Sequence, residues 1–86
     1  MQFHAVKEHN KKYLLAFGQN LERLLQELDT DVMTVASLGN IEPKQVYRVL
    51  RGEHAASLGT ILAISRGLAV PPKKLFDFDF TVDQEP

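Results

Sequence analysis

The sequence contains no cysteine. That excludes disulfides and thiolate metal sites and suits a reducing compartment. No apolar run approaches the roughly 20 residues needed to span a bilayer, and residues 1–13, MQFHAVKEHNKKY, lack the apolar centre of a signal peptide. A soluble, cytoplasmic protein with no membrane association is therefore expected. Internal repeats and low-complexity linkers are absent too, and 86 residues, 44% of them apolar, can hold one compact core. Motifs of catalysis are equally scarce. His4, His9 and His54 are not spaced as metal ligands with a carboxylate, and there is no nucleophilic serine motif, Gly-rich phosphate loop or compact acid pair. The chain reads as no enzyme, with no catalytic residue, no metal site and no cofactor.

Charge of one sign is missing overall, since the formal net charge is −1, but its distribution is uneven. Residues 1–74 hold ten Lys and Arg against seven acids, whereas residues 75–86 hold four acids and no base. The body is mildly basic and the tail acidic.

What is present is helical periodicity. Tyr13, Leu14, Phe17, Leu21, Leu24, Leu25 and Leu28 form one apolar stripe, which predicts a helix over residues 8–28. Gly18 within it costs about 1 kcal/mol against Ala, so a close-packed backbone is expected there. Asp29-Thr30-Asp31 ends this helix and caps the next. Over residues 31–52, DVMTVASLGNIEPKQVYRVLRG, the period is broken once, at Gly39-Asn40, and then restarts. Ala36 and Gly39 are small enough for a steep helix crossing, and Asn40 can take the left-handed conformation that ends a helix. Pro43 opens a second short helix where its missing amide costs nothing. Ser57 caps a fourth helix to about Leu68, with Leu58, Ile61, Leu62, Ile64, Ser65 and Leu68 facing inward. Pro71-Pro72 begins a last helical turn through Phe76. The fold class expected is all-α, a compact bundle of about five helices with a central helix-turn-helix.

With these residues in register, the chain resembles the lambda-repressor-like, XRE-type helix-turn-helix family. The match runs without a gap from Phe17 to Phe76. Phe17-Gly18, Leu21 and Leu24 fit its opening, Val35-Ala36 and Ile41 its middle, and Val46, Arg48, Val49 and Arg51-Gly52 its second motif helix. Ser57-Leu58, Thr60-Ile61-Leu62, Ile64, Leu68, Val70 and Leu75-Phe76 continue it. The resemblance implies a transcriptional regulator that binds double-stranded DNA as a homodimer, with the helix over residues 43–51 in the major groove. Carried over by position, it puts Glu42, Pro43, Lys44, Gln45, Tyr47, Arg48 and Arg51 at the DNA. Lys44 and Arg48, four apart on one face, have the donors for guanine, and Gln45 the pair for adenine.

Three departures from the family stand out. Val32 replaces a Gln that contacts DNA. Glu53-His54-Ala55-Ala56 replaces a loop that is commonly basic. Leu25 and Leu50 replace an Arg–Glu ion pair, a double exchange that leaves no charge stranded. Val32, Glu53 and the acidic tail also fit an alternative, a protein-interaction or antitoxin-like module with a protein partner and weak DNA binding. The domain is expected over residues 1–76, with an acidic, aromatic tail over 77–86. Period-two alternation at Phe76, Phe78 and Phe80 reads as a strand, either covering its own domain or supporting a dimer interface.

Overall fold

The computed structural model describes residues 3–53 and 55–79, with side chains from residue 11 onward. His54, the side chains of His4 and His9, and Phe80 with the rest of the acidic tail lie outside the described residues. The chain forms α1 (Phe3–Glu27), α2 (Val32–Gly39), α3 (Pro43–Leu50) and α4 (Leu58–Leu68), followed by a 3-10 turn, Pro72–Phe76. There is no strand among the described residues.

Two helices start where their caps direct. The Asp31 carboxylate accepts the Thr34 amide at 2.8 Å, and Ser57 Oγ accepts the Thr60 amide at 3.1 Å. Helix α1 begins at Phe3 rather than near Glu8, because no Gly or Pro interrupts the stretch before it.

All four helices end by one device. Asp29, Asn40, Gly52 and Ala69 take left-handed φ values of 53°, 60°, 67° and 59°. The next amide then turns back onto the helix: Thr30 to Leu25 O, Ile41 to Ala36 O, Glu53 to Arg48 O and Val70 to Ser65 O, at 3.0–3.1 Å. These are Schellman turns, which satisfy carbonyls that a helix end leaves open. At Ala69 the conformation is strained, since an L residue with a Cβ pays about 1–2 kcal/mol there.

The core joins Leu21, Leu24 and Leu25 of α1 to Val32, Val35 and Ala36 of α2, Val46 and Val49 of α3, Ile64 and Leu68 of α4, and Leu75. On α4 the expected inner face is only partly right. Leu58 and Leu62 are 75% and 45% exposed, and Ala63 and Gly67 turn inward in their place. The small residues allow α2 and α4 to touch backbone to backbone.

The fifth element is a 3-10 turn rather than an α-helix. Pro71 and Pro72 offer no amides, and the buried Asn20 of α1 donates to the carbonyls of Lys74 and Leu75, both at 3.0 Å, closing the turn onto α1. Asn20 Oδ1 accepts in turn from Arg23, which also pairs with Glu27 at 2.7 Å.

The described part of the tail is not the strand that alternation suggested. Asp77 has φ −86° and ψ 75°, and the Phe78 amide donates to Phe76 O at 3.0 Å, an inverse γ-turn. That turn brings both rings onto Phe17, edge-on, with centroids 5.0 and 6.4 Å away. Phe76 and Phe78 thus both rest on Phe17, and Phe76 stays 54% exposed.

Candidate nucleic-acid interface

The motif is α2, the turn at Asn40, and α3. Asn40 reverses the chain, Ile41 packs on the core, and Arg66 of α4 donates to Gly39 O at 3.2 Å, closing the end of α2 with a positive charge. At the start of α2, the bonds from the Thr34 amide and then its hydroxyl hold the Asp31 carboxyl below the usual carboxylate range. A depressed folded pKa gives stability that is present above the unfolded value of about 3.9 and is lost as pH falls through the folded one. Asp31→Ala is therefore expected to unfold at lower urea than wild type at pH 7, and the gap should narrow as pH falls below about 4.

Gly18 sets the height of α3 over α1. A Cβ there would stand 2.8 Å from Val49 O and would overlap Leu50 O, so only glycine lets the last turn of α3 rest on α1. With Val46 and Val49 facing the core, the opposite face of α3 is fixed. Lys44, Tyr47, Arg48 and Arg51 are all exposed on it. At 3.6 residues per turn, the three cations fall within an arc of about 60°.

The other expected site residues flank this face. Glu42 is exposed at the N-cap of α3 and makes no capping bond with its side chain. Pro43 and Gln45 are half-buried. Tyr47, 43% exposed, lines a groove with Leu25, Val32, Met33 and Leu50. Leu25 and Leu50 thus meet one groove, and Leu50 packs against the core cluster that contains Leu25.

Glu53, which stands where the family's loop is commonly basic, turns back onto the arginines of α3. Its carboxylate bonds Arg51 Nε at 2.5 Å and lies 4.0 Å from Arg48 Nε. The bond and the charge of Glu53 hold the Arg51 guanidinium still more firmly protonated. The spacing R-x-x-R-G-E carried the signal: a left-handed glycine after a helix turns the following side chain back toward the last turn.

A second groove is lined by Tyr13 and Phe17 of α1, Val49 of α3, Ile61 of α4, and Phe76 and Phe78, among others. Among the described residues, Tyr13 is its sole titratable group. Among the described residues no group of three or more His, Asp or Glu could hold a metal ion, and no helix is long and apolar enough to cross a membrane.

No protein-family model matches the chain, and no curated protein does. Among solved structures, it is similar to the restriction-modification controller protein C.AhdI from Aeromonas hydrophila, with 32% identity and a TM-score of 0.71. The similarity covers 76% of this chain and 98% of that one.

Proposed function

The chain belongs to the lambda-repressor-like, XRE-type helix-turn-helix family, and from that premise we propose that it is a sequence-specific DNA-binding transcriptional regulator that reads the major groove with α3. The observation that carries this is the outer face of α3, where Lys44, Arg48 and Arg51 converge on a helix held by Gly18, Asn40 and Arg66. Arg48 and Lys44 reach base edges, Arg48 by paired donation to guanine O6 and N7. Arg51, at the end of the helix, and the amides at the start of α3 meet phosphates. Tyr47 packs at the edge, against sugar and phosphate. Similarity to a restriction-modification controller supports a regulatory role in the cytoplasm. One domain covers about four or five base pairs, so the working form is a homodimer on two half-sites roughly one helical turn apart.

Selection from a random-sequence duplex library by the purified protein tests this reading. A paired, palindromic motif is the expected product, and recovery of unenriched sequence overturns it. On the selected duplex, Arg48→Ala should lose about 1–3 kcal/mol of affinity and relax the preference at one position of each half-site. Unchanged selectivity in that variant removes Arg48 from the readout.

A further inference from the structure

We infer that Glu53 is an internal stand-in for phosphate: it bonds Arg51 and lies beside Arg48 in the free protein, so that duplex phosphates compete with it, and it thereby weakens the hold of the domain on DNA of arbitrary sequence. The inference rests on the DNA-binding reading of α3 and adds a regulating residue to it.

The position of the carboxylate is built into the backbone. Gly52, at φ 67°, and the Glu53 amide, bonded to Arg48 O at 3.1 Å, complete the Schellman turn of α3. In the equivalent turns of α2 and α4, the residue after the left-handed one is Ile41 or Val70, and each packs on the core. In α3 that residue is Glu53, and it turns onto arginines instead. Its two oxygens are shared, Oε2 to Arg51 at 2.5 Å and Oε1 toward Arg48 at 4.0 Å. All three side chains are about half exposed, 44–55%, so a phosphate can approach and compete. A guanidinium donates to phosphate and to carboxylate by the same geometry. A phosphate that takes the Nε edge of Arg51 therefore displaces an existing bond, and one that uses the other guanidinium donors meets the Glu53 charge beside its own. This opposes binding to every sequence alike, because phosphate contacts carry no sequence information.

The test is a double-mutant cycle on the full chain, read as affinity for a random-sequence 20-base-pair duplex at low salt. Glu53→Gln keeps the size and removes the charge. It should bind about three- to tenfold tighter than wild type, with its urea midpoint little changed. In the Arg51→Ala background the same substitution should gain much less. Mere removal of one negative charge predicts an equal gain in both backgrounds. An equal gain, no gain, or weaker binding by Glu53→Gln, in a wild type that does bind duplex, overturns the role of Glu53 alone. If neither wild type nor Glu53→Gln binds duplex, the DNA-binding reading falls and this inference with it.

Discussion

Gly67→Ala is expected to destabilise the domain by about 2–3 kcal/mol, although alanine is the better helix former by nearly 1 kcal/mol. The reason is the crossing of α2 and α4. A Cβ at Gly67 would overlap the Val35 carbonyl oxygen and stand 2.9 Å from both its carbon and Val35 Cγ1. Backbone cannot step aside as a flexible side chain can. At the other end of the crossing Gly39 lies as closely on Ala63, so the two helices are held backbone to backbone at both ends. Any methyl must pry α2 away from α4. Gly59 on α4 is the matched control, since its added Cβ would meet only Ser57 Oγ, at 3.7 Å. Urea unfolding should therefore show Gly59→Ala equal to or more stable than wild type and Gly67→Ala well below it. Similar midpoints for the two variants would mean that the crossing is looser than described.

Leu50→Glu is expected to cost about 2–4 kcal/mol, and pairing it with Leu25→Arg should recover part of that loss. Leu50 is half-buried, on the groove that it lines with Leu25. A carboxylate there has Glu22 and Asp31 on the same groove and no base. Desolvation and like charge therefore act in the same direction. An arginine at position 25 supplies the opposite charge from the facing helix. The chain as it stands avoids both charges with two leucines. The double-mutant cycle, read by urea unfolding, measures the coupling directly. Strictly additive losses would show that the two positions do not interact.

Much of the scaffold is legible in the sequence because it depends on local chemistry. Asp31, Ser57 and Pro43 mark helix starts by what their own side chains or rings can do, and Asn40 marks a helix end by tolerating a left-handed backbone. Gly18 was legible as a close approach, since a glycine inside an apolar helical stripe has little other reason to be there. Its partner, the end of α3, was not. Asn20 was missed because its partners, the carbonyls of Lys74 and Leu75, lie more than fifty residues away in the chain. Ala69 gave no sign of its left-handed conformation, which comes with the neighbouring Val70 packed on the core. On α4 the bulky residues Leu58 and Leu62 seemed the natural inner face, yet contact with α2 favours Ala63 and Gly67 there. The alternation of Phe76 and Phe78 had the period of a strand, but one γ-turn at Asp77 puts both rings on the same phenylalanine. That Lys44, Arg48 and Arg51 share one exposed face was legible from helical spacing; the bond from Glu53 to Arg51 was not, because it needs the geometry of the turn at Gly52.

The central claim is that α3 is the element that enters the groove, and an amide chemical-shift titration of isotope-labelled protein with the selected duplex tests it most directly. The account predicts that the largest changes fall on residues 42–53 and on the first turn of α2, with the side-chain NεH signals of Arg48 and Arg51 shifting as they leave Glu53. Changes concentrated instead on α4 and the 3-10 turn, with α3 unmoved, would contradict it.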